Sequence, residues 1–328
     1  MINPAPFNTV HKKDLYYAAS LFGGATLAII AGHFIFISLL VNLDNYPLFD
    51  TLTSIPLFMG LIVLGIGFFS NHEKKHLITA AGWIIFALYW ATQPEFLYYK
   101  EDGDIVNAVF CVVGIYFLFY IAYHEYLSHI KGEELKPLTF LAGSAFISGF
   151  FYFLIGKLPI FAGSLIKVVA DQTVWVMRAI GYNVRAGAVI HGETITVPVY
   201  FNGNHSVQLI LACTGLQSMM IFIGVIVALR GVDWRRRFRA FMVTVPVIYV
   251  LNIIRNAGVI YGVEVLHQTF YFMHNVVGKI GSLLALIVLA YLAFNILPEL
   301  YDYIYAIFEL PKRRGPVERF FRGVMRKK

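Results

Sequence analysis

"TVPVYFNGNHSVQLILACTGLQSMMIFIGVIVAL", Thr196 to Leu229, changes its hydrophobic rhythm halfway along. Its first part alternates in period 2 about Asn202-Gly203, a dipeptide suited to the positive φ angles of a two-residue hairpin turn. From residue 207 to 229 the run is apolar almost without a break and predicts a membrane helix. A hairpin therefore leads straight into a span, and near the start of that span stands Cys213, one of only 2 cysteines in the chain.

Composition agrees with a membrane setting. Of 328 residues, 59% are hydrophobic and 14% charged, with a mean hydropathy of +0.69; soluble domains carry roughly 45–50% apolar and about 25% charged residues. Runs of about 20 apolar residues, enough to cross roughly 30 Å of hydrocarbon, lie near 16–42, 52–70, 77–93, 105–123, 138–156, 207–229, 240–261 and 277–298. The first follows His11, Lys12 and Lys13 but is too long for the apolar core of a signal peptide. The fold expected is an all-α polytopic membrane protein of about eight transmembrane helices. It forms one domain: residues 1–156 hold five supporting spans, 157–206 an extracytoplasmic helix and hairpin, 207–298 three further spans, and 299–328 a basic cytoplasmic tail.

Lys and Arg set the orientation, because basic loops stay cytoplasmic. With the N-terminus inside, the inner segments carry Lys12, Lys13, Lys74, Lys75, Lys131, Lys136, the stretch "RGVDWRRRFR" at 230–239, and the tail from Lys312 to Lys328. The outer segments hold only Lys100, Lys157, Lys167, Arg178 and Arg185. Both termini are then cytoplasmic. The net charge of +7 requires no nucleic acid as partner, since a cytoplasmic leaflet attracts it.

The outer segment 157–206 is long enough to hold its own structure. "GSLIKVVADQTVWVMRAIG" predicts an amphipathic helix, with Lys167 and Asp171 paired at i, i+4 and Leu165, Val168, Val169, Trp175 and Ile180 offering an apolar surface. "NHS" at Asn204 fits a glycosylation sequon, a pattern common by chance. Cys111 and Cys213 form no CxxC and belong to different spans, so neither a metal nor a cofactor is expected. Cys111, in "AVFCVVGIYF", reads as apolar filling.

The last three spans carry the chemistry. Read as one helix, the sixth places Cys213 on a stripe with Gln217, Met220 and Gly224. The seventh runs the opposite way and, in "VLNIIRNAGVI", brings Arg255 to a similar depth, flanked by Asn252 and Asn256. A charge inside a span usually faces a polar interior, although Arg255 can also snorkel to the interface as an anchor. The eighth is entered through "YFMHNVVGKIGS", which puts His274 and Asn275 at the same boundary, where a lone His also serves as an interfacial anchor. A thiol becomes nucleophilic as a thiolate, and a nearby cation favours that form. Arg255 can act so or donate to an oxyanion, while His274 can move a proton. The amides of Gln217, Asn252, Asn256 and Asn275 are the candidate substrate-binding groups. The competing readings are a transporter or channel using Arg255, Asn252 and Lys279, and a scaffold whose hairpin binds a partner. Against transport stands the absence of a sequence repeat.

"ACTGLQSM" at 212–219, "NIIRNAGVI" at 252–260 and "HNVVGKIGS" at 274–282 together resemble the exosortase/archaeosortase family, over the last three spans. The resemblance implies a membrane-embedded, sortase-like cysteine protease and transpeptidase of archaeal surface proteins. It implies precursors ending in a Pro-Gly-Phe type motif, a transmembrane helix and a basic tail, cut through an acyl-thioester and transferred to a membrane lipid. By that resemblance Cys213 is the nucleophile, Arg255 the proton donor or oxyanion partner, and His274 the third member, where the family uses either His or Arg.

Overall fold

The computed structural model describes residues 12–99, 105–192 and 194–325. Lys100 and the last three residues of the basic tail lie outside these, as does His11. The chain is almost entirely helical and divides into two compact units, one formed by residues up to Phe146 with those from Tyr303 onward, the other by Ile147–Asp302.

In the first unit, α1 (Lys12–Phe36, extended by a π turn over Ile37–Asn42), α2 (Tyr46–Phe69), α3 (Lys75–Ala91), the short α4 (Gln93–Tyr99) and α5 (Ile105–Lys131) pack side by side. Small residues let α2 and α3 approach closely, as in membrane bundles generally. A Cβ on Gly60 would lie 2.6 Å from the Phe86 nitrogen, and one on Gly82 would lie 2.9 Å from the Leu64 nitrogen. Leu57, Leu61 and Leu64 fill the seam and are fully buried. α6 (Lys136–Lys157) and α11 (Pro298–Phe308) each contain a boundary between the units.

The tail is folded. After a 3₁₀ turn at Leu310–Arg313, α12 (Pro316–Met325) docks on α5 through Glu318, which accepts hydrogen bonds from the hydroxyls of Tyr120 (2.7 Å) and Tyr123 (3.2 Å) and lies 3.2 Å from His124 Nε2.

In the second unit, α7 (Pro159–Ala179) turns Ile166, Ala170, Val174 and Met177 onto a three-stranded sheet. This stripe, one residue per helical turn, is buried, whereas Val168, Trp175 and Ile180 stand on the exposed side. The sheet runs β1 (Val184–Ala186), β2 (Val197–Phe201), β3 (Asn204–Leu209), all antiparallel. The expected hairpin is present: Asn202 and Gly203 both have positive φ, 51° and 89°, as a type I′ turn requires. One register irregularity between Val199 and Tyr200 leaves Ser206 as an extra residue on β3.

Beyond the sheet the chain departs from the expected span over 207–229. β3 continues to Leu209, a 3₁₀ turn occupies Leu211–Thr214, and α8 begins only at Leu216 and ends at Ala228. The break is local: Gly215 sits at φ 73°, a left-handed conformation that interrupts a helix. α9 (Trp234–Glu264) and α10 (Lys279–Ile296), the latter entered through a π turn at Phe272–Gly278, complete the unit. Arg236 at the start of α9 grips Glu299 through two parallel bonds of 2.8 Å, the bidentate form that fixes direction as well as charge.

Among the described residues, seven helices are long and apolar enough to cross a membrane, α7 among them. α3 at 17 residues and α8 at 13 fall short of that length.

Candidate active site

Cys213 is not on α8. It lies in the 3₁₀ turn between the sheet and Gly215, its N–H donating to the Ile210 carbonyl at 2.8 Å. The stripe expected to join Cys213 to Gln217 along one helix is therefore broken at Gly215, and Gln217 is exposed on the first turn of α8. The turn is held from within: the Thr214 hydroxyl donates to the Leu211 carbonyl at 2.7 Å and accepts the Leu216 N–H at 3.3 Å. That second bond satisfies one of the free donors at the start of α8.

The side chain of Cys213 is 6% exposed and belongs to the core that α7 and the sheet share with Ala257 and Ile260 of α9. Its main-chain carbonyl is turned to α9, where it accepts from the amide nitrogens of both Asn252 (2.5 Å) and Asn256 (2.8 Å). Between these two in sequence stands Arg255, so one turn of α9 both grips the cysteine main chain and carries the guanidinium.

Arg255 has no carboxylate partner among the described residues, and its Nε is buried without a hydrogen bond. The guanidinium lies over Gly278 at the end of the π turn, where a Cβ would be 3.0 Å from Nε and 3.5 Å from one terminal nitrogen. A π turn widens the helix by one residue and is frequent at functional sites; here it carries His274 and Asn275, both half-buried. The His274 ring stacks on Phe270 with centroids 5.0 Å apart and planes at 12°.

A cavity of about 290 Å³ opens between α8, α9 and α10, walled by Gly215, Ser218, Asn252, Arg255, Gly278 and Ser282 among aliphatic side chains. It therefore offers a cationic donor, an amide and two hydroxyls inside an otherwise apolar hollow, a common make-up for a ligand site. Of the candidates read from sequence, Asn252 and Arg255 line this cavity; Cys213 lies two residues from its Gly215 wall, and Asn256, His274, Asn275 and Gln217 are not part of the lining. Lys279 is exposed and outside it. Among the described residues no group of three or more His, Cys, Asp or Glu is placed to hold a metal ion.

Sequence reasoning missed Gly215 as the element that separates Cys213 from α8, and Gly278 as the surface on which Arg255 lies. Both were visible only as glycines inside apolar runs.

Residues 57–291 match the family described as transmembrane exosortase. The match takes in all three blocks named above and also most of the preceding spans. Archaeosortase A of Haloferax volcanii is 25% identical over 263 residues, which cover 70% of this chain and 83% of that protein. No solved structure matches the chain.

Proposed function

Because the chain belongs to the transmembrane exosortase family, we propose that it is a membrane-embedded cysteine transpeptidase. It cuts the C-terminal sorting signal of archaeal surface-protein precursors and transfers them to a lipid. The reading is carried by one observation: a single turn of α9 holds the Cys213 carbonyl through Asn252 and Asn256 and presents Arg255, without a carboxylate partner among the described residues, to an adjoining cavity.

In the first step the Cys213 sulfur attacks the scissile carbonyl carbon and the carbonyl oxygen gains negative charge. Arg255, with an Nε donor uncommitted, stabilises that oxyanion; such donors count most where water is excluded. The carbon–nitrogen bond then breaks, and the proton lost by the thiol goes to the departing amine through His274. The acyl group remains on sulfur as a thioester. A lipid amine or related lipid nucleophile attacks the thioester, the carbon–sulfur bond breaks, and the thiol is restored.

The substrate arrives as a transmembrane helix, so its entry is sideways. The outward face of α10 suits this, since Ile280, Leu283, Leu284, Ile287 and Val288 are all exposed and apolar. The precursors are expected to end in a Pro-Gly-Phe type motif, a membrane helix and a basic tail. The site lies near the extracytoplasmic face, with both chain termini cytoplasmic.

Cys213→Ala tests the reading. Unprocessed full-length precursor should accumulate in cells carrying it, and normal processing would exclude the mechanism. In the unmodified protein, an adduct on Cys213 that hydroxylamine releases would identify the thioester.

A further inference from the structure

We infer that Asn252 and Asn256 are positioning residues that set the register between Cys213 and Arg255, not groups that bind substrate. The inference rests on Cys213 being the nucleophile. Asn256 is 4% exposed and its amide nitrogen is committed to the Cys213 carbonyl, so a substrate has no access to that donor. Asn252 borders the cavity, yet its amide nitrogen is committed to the same oxygen at 2.5 Å.

Positions 252, 255 and 256 are spaced i, i+3 and i+4, so all three side chains leave one side of α9 within about one turn. Holding the cysteine main chain at 252 and 256 therefore fixes its height relative to Arg255. The helix needs such a fixing point, because Pro246 lies inside α9 and an interior proline removes a ladder hydrogen bond and permits bending. The grip lies beyond that proline, on the segment that bears the guanidinium.

The facing chain is shaped to accept it. At Gly215 a Cβ would lie 3.2 Å from both Cβ and Cγ of Asn252, and the φ of 73° is one that side chains other than glycine rarely adopt. Gly215 thus lets the cysteine turn approach Asn252 closely enough for its carbonyl to be held.

The test uses the full-length protein in membranes with Cys111→Ser, which leaves Cys213 as the single thiol. Two quantities are measured for Asn252→Ala, Asn256→Asp and Asn252→Gln: the rate of Cys213 alkylation by iodoacetamide across pH, and the rate of precursor processing against precursor concentration. Asn256→Asp keeps the side-chain shape and removes the donor. Asn252→Ala leaves the Asn256 bond in place, so at least one variant retains the fold. Loss of register is expected to shift the alkylation pH profile and to lower the maximal processing rate by roughly ten- to hundred-fold, with the half-saturating precursor concentration unchanged. Asn252→Gln, which keeps a donor, should recover part of the loss. An alkylation profile superimposable on that of the parent, with or without a raised half-saturating concentration, would overturn the inference. The alkylation readout needs no turnover, so a failure of the transpeptidase reading, seen as processing by Cys213→Ala, remains distinguishable from a failure of the grip.

Discussion

Arg255 carries a permanent charge into an apolar helix without a carboxylate beside it among the described residues. A burden of that kind, on the order of 2.5–3.5 kcal/mol even on the lenient insertion scale, is usually retained for function. Its fork is also the feature a lysine cannot copy, since an ammonium offers a point charge with no planar pair of donors. Arg255→Lys is therefore expected to lower processing by roughly 10²- to 10³-fold, the effect of losing an oxyanion donor. An interfacial anchor would tolerate the same change, so the ratio of precursor to product decides between the two roles. Gly278→Ala should act through the same group, since its Cβ would press on Arg255 Nε at 3.0 Å and on the Met273 carbonyl at 3.2 Å. We expect a partial loss of activity with an unchanged melting temperature. The residue types were legible in the sequence because Cys, Arg and His are rare in spans. Their shared arrangement was less so: a helical wheel drawn through Cys213 and Gln217 assumes an unbroken helix, and a left-handed Gly215 leaves no periodic signature.

The elements divide according to whether their cause is local. Asn202-Gly203 specifies its own turn, and the hairpin expected there formed, with one bulge at Ser206 that the alternation did not announce. Gly203→Val should destabilise the sheet by about 1 kcal/mol or more, because φ of 89° is closed to a β-branched residue. A lowered melting temperature together with faster alkylation of Cys213 would show that the sheet supports the cysteine turn. The close approach of α2 and α3 at Gly60 and Gly82 had no such local sign, and neither did the docking of α12, which pairs residues 195 and 198 positions apart in the chain. The charge count read this tail as a basic extension, while it is seated by the acidic Glu318 on α5 and by the ion pair of Arg319 with Asp14 of α1. Burial pushes the Glu318 carboxyl up, but the imidazole of His124 beside it and the hydrogen bond from Tyr120 outweigh this and hold it below its ordinary value of 4.5. A carboxylate held down in the folded state stabilises it above the unfolded value and loses that contribution as pH falls through the folded one. Acidification below about pH 4.5 is thus expected to loosen α12, seen as faster hydrogen exchange over 316–325. Glu318→Gln should show fast exchange already at neutral pH.

At the scale of the whole molecule, length and charge give different topologies, and the difference is testable. If the seven helices long enough to cross were the only spans, starting from a cytoplasmic N-terminus, the 131–136 loop, the arginines at 235–239 and the C-terminal tail would all face outward. That arrangement reverses the positive-inside pattern. Letting α3 and α8 cross while α7 stays outside restores every basic segment to the cytoplasm. α3 spans about 26 Å and α8 about 20 Å at 1.5 Å per residue, and the second is lengthened by the 3₁₀ turn that precedes it. Local thinning of the bilayer accommodates short spans at a modest cost. α7 has its own reason to remain outside, because its buried stripe already has a partner in the sheet. Single cysteines introduced at Gly132, Gly203 and Gly231, with both native cysteines replaced by serine, separate the two arrangements. A membrane-impermeant maleimide applied to intact cells should label position 203 alone, and positions 132 and 231 only after the membrane is opened. Labelling of 132 and 231 from outside would place α7 in the membrane and reject the eight-span arrangement.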